Sequence, residues 1–101
     1  MANDNKMFKD LDPILNVPVR LAVVSVLVTL KQADFKYLME TTKATQGNLS
    51  HQLKKLNEAG YIEVEKTIKG NYPQTICKLT NIGHEAFEAY VKAIKNYLHL
   101  P

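Results

Sequence analysis

Side chains able to carry out covalent, acid–base or metal chemistry are few in this sequence and lie far apart. The single cysteine, Cys77, has no second cysteine with which to form a disulfide or a thiolate metal site. His51, His84 and His99 occupy polar positions of predicted helices, and no pair of carboxylates stands out. We therefore expect no enzymatic activity, no metal and no cofactor, and we interpret Cys77 as a small buried apolar residue.

Hydrogen-bonding chemistry, in contrast, is concentrated between residues 45 and 59. Leucines at 49, 53 and 56 recur with helical spacing and leave amide, hydroxyl, imidazole and ammonium groups on the other faces. Such groups pair with base edges and phosphate oxygens in a DNA major groove, and a helix N-terminus adds backbone N–H donors. A merely solvated helix face has the same composition, so this helix alone leaves both interpretations open. The candidate DNA-binding residues here are Thr45, Gln46, Asn48, Ser50, His51, Gln52, Lys54 and Lys55.

One residue of this segment, Gly47, is unfavourable in a helix by about 1 kcal/mol relative to alanine. A glycine here is explained either by a close approach of the backbone to DNA or to the preceding helix, or by tolerated local variation. The sequence favours neither explanation.

Periodicity and helix-start signals predict that this helix is the third of three in the first part of the chain. A tight turn joins the second helix to the third, which is the spacing of a helix-turn-helix, and the third helix ends at Gly60. The predicted helices, with their N-caps in parentheses, are 16–31 (Asn16), 35–42 (Asp34) and 46–59 (Thr45).

After Gly60 the apolar residues recur with a period of two, which is typical of a strand. Strands over 61–69 and 75–79 flank turn-forming residues at 69–73, so this part is predicted to form a β-hairpin.

A last helix is predicted over 82–98, with Thr80 or Asn81 as its N-cap. It carries two apolar stripes, which is more than one small core can cover, and this favours a second covered surface formed with the N-terminal helical segment. The residues that we expect in this dimerisation surface are Phe87, Tyr90, Val91, Ile94, Tyr97 and Leu98.

Composition is that of a single folded domain, since 46% of the 101 residues are hydrophobic and 23% are charged. The net charge is +3, and the whole excess lies between residues 43 and 80. The first residues are polar, and the longest nearly apolar stretch, 21–30, is too short to span a bilayer. We therefore expect a cytoplasmic protein with no membrane partner.

Two motifs resemble the small winged helix-turn-helix transcriptional regulators of the MarR/ArsR type. They are NLSxxLxxLxxAGYIxxEK at 48–66 and LTxxG at 79–83, and the resemblance covers roughly residues 14–96. This resemblance agrees with the fold predicted from the order of the elements, which is α+β and mostly α. The predicted fold has a three-helix core, a two-stranded β wing and a long C-terminal dimerisation helix. The predicted parts of this single domain are an N-terminal arm (1–12), a recognition helix (45–59), the wing (61–79) and the C-terminal helix (81–98).

The resemblance implies a prokaryotic, sequence-specific regulator of transcription, a dimeric repressor that binds double-stranded DNA. A homodimer would grip a pseudo-palindromic operator, with recognition helices in successive major grooves and wings on the backbone or in the minor groove. By position, residues 45–55 would hold the base and phosphate contacts, joined by Lys66, Lys69 and Tyr72 of the wing.

The sequence departs from this family pattern at the wing and in its cysteines. Asn71, Tyr72 and Gln74 stand where relatives often carry arginines, so we expect the wing to position on phosphates more than to read sequence. The cysteine-rich metal motif of many ArsR-type sensors is absent, which argues against metal sensing.

Two further interpretations stay open. One is a winged-helix module that binds a protein instead of DNA, which the arginine-free wing and the modest net charge favour. The other is control of a DNA-binding dimer by a small-molecule effector held between the wing domains and the dimerisation helices. No polar constellation in the sequence identifies that effector.

Overall fold

The computed structural model describes residues 11–99, which form four helices and three strands. In chain order these elements are α1 (Pro18–Leu30), β1 (Gln32–Asp34), α2 (Phe35–Thr42), α3 (Gln46–Glu58), β2 (Ile62–Lys69), β3 (Tyr72–Leu79) and α4 (Asn81–Leu98). The mostly helical α+β fold, with a hairpin between the helical core and a long last helix, confirms the predicted fold class. Residues 1–10 of the predicted N-terminal arm (1–12) lie outside the described residues.

Three helices begin with a side-chain cap, as predicted. Asp34, Thr45 and Thr80 each accept a hydrogen bond from the backbone N–H three residues further on, at 2.7, 3.2 and 2.9 Å. These caps start α2, α3 and α4 respectively, so the start of each helix is determined by residues adjacent in sequence.

The start of α1 corrects a prediction. The residue before α1 is Val17, which makes no side-chain cap bond, and Pro18 occupies the first turn. Asn16 is therefore not the N-cap of this helix. Its Oδ1 atom instead accepts a hydrogen bond of 2.8 Å from the hydroxyl of Tyr90, so that the start of α1 is tied to α4.

The sheet contains one strand more than the sequence predicted. The strands are antiparallel in the order β1-β3-β2. Cys77 of the central strand β3 lies opposite Ala33 of β1 on one side and opposite Val64 of β2 on the other. A strand of three residues is too short to show a period of two, so its place depends on pairing with a distant part of the chain. The predicted hairpin is present, and β3 begins at Tyr72 instead of residue 75.

The core lies between the helices and the inner face of the sheet. α1 packs against α2, α3, α4 and β3, in agreement with its apolar residues on more than one side. Cys77 is fully buried at the centre of the sheet, as expected, and burial raises the pKa of its thiol to about 11. The fully buried side chains are Leu15, Val23, Val24, Leu27, Leu38, Leu49, Leu56, Ile62 and Cys77.

Candidate nucleic-acid interface

The helix α3 presents the polar face that the sequence predicted. Leu49, Leu53 and Leu56 are buried against the core, and this fixes the rotation of the helix about its axis. The polar side chains that are consequently exposed are Thr45, Gln46, Asn48, Ser50, His51, Lys54 and Lys55, while Gln52 is half-buried.

Three side chains on α1 and α3 form a hydrogen-bonded row along one flank of this face. The Arg20 Nε atom donates to Gln52 Oε1 at 2.7 Å, and Gln52 Nε2 donates to Asn48 Oδ1 at 3.0 Å. A second Arg20 nitrogen, Nη1, donates to the carbonyl of Ile14 at 3.2 Å. Arg20 was not among the residues predicted for the site, and the only signal for it in the sequence is that it is the single arginine of the chain.

A groove of about 460 Å³ separates α3 from the wing. Ser50 and Lys54 line it from α3, and Lys66 and Thr75 line it from β2 and β3. The structure thus brings two lysines predicted from distant parts of the sequence to one groove. Asn57 also lines it, although the predicted contacts of this helix end at residue 55.

The other two wing residues predicted to bind DNA lie elsewhere. Lys69 pairs with Tyr72 at the tip of the hairpin, three residues beyond Lys66, so alternation along the strand places Lys66 and Lys69 on opposite faces. Lys69 and Tyr72 line a second groove, of about 640 Å³, together with Lys36 and other residues of α2, β1 and β3.

The base of the wing is fastened to the end of α3 through Thr80. Its hydroxyl donates to the Gly60 carbonyl at 2.6 Å, and its backbone N–H donates to the Tyr61 carbonyl at 3.1 Å. The hydroxyl also accepts the capping bond from Gly83. The LTxxG and AGY segments of the two sequence motifs therefore meet in one junction, which sets the position of the wing relative to α3.

The side chain of Tyr61 extends this junction towards the start of the described chain. Its hydroxyl donates to the Asp12 carboxylate. Burial and then the hydrogen bond and negative charge of Asp12 raise the pKa of the Tyr61 phenol to about 12. The tyrosine is therefore neutral and acts as a donor at any physiological pH.

An apolar groove of about 440 Å³ runs between α1 and α4, and no residue of α3 lines it. Leu21 and Ser25 line it from α1; four of the predicted dimerisation residues, Phe87, Tyr90, Val91 and Ile94, line it from α4. Tyr90 is only 6% exposed, so it belongs mainly to the chain's own core. The remaining two, Tyr97 and Leu98, lie at the end of the helix, where Leu98 is 59% exposed.

Within residues 11–99, no group of three or more His, Cys, Asp or Glu side chains is placed to hold a metal ion. None of the helices described here is long and apolar enough to cross a bilayer.

Comparison with known families and sequences gives two matches. Residues 19–98 match the family model of a winged helix DNA-binding domain. An uncharacterised protein of Methanocaldococcus jannaschii is 41% identical over 81 residues, which cover 80% of this chain and 88% of the relative.

Solved structures similar to this chain include MarR-family transcriptional regulators. A transcriptional regulator homologue from Pyrococcus horikoshii OT3 superposes with a TM-score of 0.84 and 25% identity, covering 98% of this chain and 96% of the other. A MarR family regulator from Streptomyces coelicolor, solved in complex with DNA, has a TM-score of 0.66 and 19% identity, covering 97% of this chain and 68% of the other. The second likeness concerns the fold alone.

Proposed function

The chain belongs to the winged helix DNA-binding domain family, a family of DNA-binding domains and not of enzymes, and from this premise we propose that it is a dimeric repressor that binds double-stranded DNA sequence-specifically in the prokaryotic cytoplasm. One observation carries the proposal. The exposed face of α3 is entirely polar and adjoins a groove to which α3 and the wing each contribute a lysine, Lys54 and Lys66. These elements lie within the part of the chain that holds the whole net positive charge.

In the proposed complex α3 enters the major groove. Asn48 and His51, which are exposed, would contact base edges, while Gln46 and the backbone N–H groups at the start of α3 would approach a phosphate. Lys54 and Lys66 hold the phosphate backbone that passes between α3 and the wing. The wing lacks arginine, so it positions the protein on the backbone more than it reads the minor groove.

We propose that a second copy of the chain covers the apolar groove between α1 and α4. Phe87, Val91 and Ile94 form a stripe along its α4 side, next to the residues that α4 buries in its own core. A two-fold dimer would place two copies of α3 about 34 Å apart along the duplex, which fits a pseudo-palindromic operator. A small-molecule effector enclosed in this groove between α1 and α4, beneath the second copy, is part of the same proposal, since the volume of the groove suits a small ligand.

The direct test is fluorescence-anisotropy binding to the DNA upstream of the protein's own coding sequence and to a scrambled duplex, each at about 50 and 200 mM salt. We expect binding to both duplexes to weaken steeply with salt, and the upstream DNA to bind at least about a thousandfold more tightly. Lys54→Gln should weaken both complexes equally and reduce the salt slope by about 0.9. Lys92→Gln is the matched control, because it removes the same charge from an exposed position of α4.

One observation favours a second candidate, a module that binds protein. Ile68 and Tyr72 at the tip of the wing are each 77% exposed, and apolar side chains in this position suit a protein surface better than a phosphate backbone. Absence of DNA binding by the wild-type protein at about 50 mM salt would contradict the regulator proposal and favour this candidate. Equal effects of Lys54→Gln and Lys92→Gln would contradict the proposed placement of DNA against α3.

A further inference from the structure

We propose that Arg20 is a specificity-determining residue that acts through Gln52 and Asn48 without itself reading a base. The inference rests on the proposed DNA binding of α3 and specifies what its N-terminal half recognises. Asn48 presents N–H donors to the operator, so the base that it contacts carries a hydrogen-bond acceptor at its major-groove edge.

The hydrogen bonds of this row run in one direction, from Arg20 through Gln52 to Asn48. A guanidinium group only donates, whereas a side-chain amide has one end that donates and one that accepts. Arg20 Nε lies 2.7 Å from the amide of Gln52 and so requires that the oxygen of that amide, Oε1, faces α1. The NH2 group of Gln52 must then point the other way, towards Asn48.

The same reasoning applies one step further along α3. Gln52 Nε2 lies 3.0 Å from Asn48, so the atom of Asn48 that faces it must be the acceptor Oδ1. The NH2 group of Asn48 is thereby left free to face away from Gln52. Asn48 is exposed, and its backbone N–H is already bonded to the hydroxyl of Thr45.

Arg20 is well suited to fix this direction because it is held at two points. Its Nη1 atom donates to the Ile14 carbonyl at 3.2 Å while Nε donates to Gln52, so the plane of the guanidinium group is defined by partners on both sides. Ordering the two amides before DNA arrives also reduces the entropy cost of binding.

The consequence for base recognition follows from the pattern of groups in the major groove. Guanine offers acceptors at N7 and O6, adenine at N7 and thymine at O4, whereas cytosine offers only the donor N4. An asparagine whose NH2 group faces the DNA therefore donates a hydrogen bond to guanine, adenine or thymine and discriminates against cytosine. At one position in each half-site, cytosine should be the disfavoured base.

Two substitutions test the proposal by changing which end of each amide donates and which accepts. Arg20→Met removes the donor, so both amides are free to turn over, and discrimination against cytosine should fall roughly tenfold at that one position. Gln52→Glu keeps an acceptor for Arg20 but turns an acceptor towards Asn48, which must then donate to it and present Oδ1 to the DNA. The preferred bases should change to cytosine or adenine, which carry donors.

The measurement is the relative affinity of wild type, Arg20→Met, Gln52→Glu and Arg20→Lys for a set of operators in which each half-site position carries each of the four bases. Arg20→Lys keeps both the charge and a donor, so it should retain most of the preference against cytosine. Arg20→Met should leave the salt slope unchanged, because Arg20 is assigned no phosphate contact; a slope reduced by about one unit with an unchanged base preference would show a phosphate contact instead.

A second readout does not need DNA. In the free protein, the side-chain amide protons of Gln52 and the Nε proton of Arg20 should exchange slowly and give shifted NMR signals, and the Gln52 amide signals should lose that protection in Arg20→Met. Specific DNA binding by the wild type with the same base preference in Arg20→Met and Gln52→Glu would overturn this inference and leave the proposed function standing. No DNA binding by the wild type would overturn both.

Discussion

The carbonyl oxygen of Tyr61 occupies the space that a Cβ atom on Gly83 would need. A Cβ built at residue 83 would also come within 2.9 Å of Cδ1 of Leu79, closer than side-chain atoms approach in folded proteins. The first turn of α4 therefore rests directly on the backbone at the start of the wing. A glycine at the end of LTxxG is required by this contact between two segments that are distant in sequence.

Gly83→Ala is expected to destabilise the fold by about 1–3 kcal/mol, because the backbone of Tyr61 or the first turn of α4 must shift to admit the methyl group. The measurement is urea denaturation followed by circular dichroism. The same shift would move the wing relative to α3, so DNA affinity should fall as well. An alanine variant as stable as the wild type would show that the contact is not constrained.

Gly47→Ala is the matched control, with the opposite expectation. No atom lies within 4 Å of a Cβ built at this residue, so it makes no close contact with the preceding helix and that explanation of the glycine is wrong. In the free protein the alanine should stabilise α3 by up to about 1 kcal/mol. Weaker DNA binding by this more stable variant would support a close approach of DNA, and unchanged binding would support tolerated variation.

How far the sequence predicted the structure depends on the distance over which each feature is determined. The caps Asp34, Thr45 and Thr80 bind groups three residues away, so local patterns were sufficient to predict them. Asn16 is also a residue type that is common at N-caps, yet its side chain accepts a hydrogen bond from Tyr90, 74 residues further on. A local pattern does not reveal such competition from tertiary contacts.

The candidate site shows the same division. The leucine spacing predicted which residues of α3 are exposed, because burial of one helix face determines the other. It did not predict that Arg20 would hold Gln52, since this bond joins residues 32 apart through the packing of α1 on α3. Strand alternation places Lys66 and Lys69 on opposite faces of β2, so this difference between them is present in the sequence as a local pattern.

The buried thiol of Cys77 predicts a loss of stability in alkaline solution. Its pKa is raised from 9.0 to about 11 by burial, so the unfolded chain loses this proton before the folded chain does. The stabilising contribution is complete below pH 9 and is lost as the pH rises to about 11, amounting to about 2–3 kcal/mol. Denaturation by urea between pH 7 and 10.5 should show the free energy of unfolding decreasing above pH 9.

Cys77→Ala separates this effect from other titrations. The variant leaves a small cavity and should be less stable than the wild type at pH 7, but its decrease above pH 9 should be shallower, so that the difference between the two proteins narrows as the pH rises. Tyr61, whose pKa is raised to about 12, contributes in the same direction above pH 10 in both proteins. Parallel pH profiles would contradict the assignment of the alkaline loss to Cys77.

The proposed dimer predicts that a charge on the apolar stripe of α4 will dissociate it. Val91→Glu places a carboxylate in the groove that a second copy should cover, and burying this charge under the partner costs more in lost hydration than Lys95, one turn along α4 at the same groove, returns. Sedimentation velocity at micromolar concentration should show a monomer for this variant. Ala89→Glu adds the same charge on another, exposed side of α4 and should remain dimeric like the wild type. A monomeric wild-type protein would contradict the two-half-site mechanism.

The two wing lysines predict different effects on DNA binding, although they are three residues apart on the same strand. Lys66 pairs with Thr75 and lies with Lys54 along the groove beside α3. Lys69 pairs with Tyr72, belongs by strand alternation to the other face of β2, and lines the second groove, which shares Phe35 and Thr75 with the first. If the phosphate backbone passes between α3 and the wing, Lys66→Gln should reduce the salt slope by about 0.9, and Lys69→Gln should change it by less than half as much. Each substitution removes one charge from an exposed position, so each controls for the other. A larger effect of Lys69→Gln would mean that DNA follows the outer face of the wing, and the groove beside α3 would no longer be its binding site.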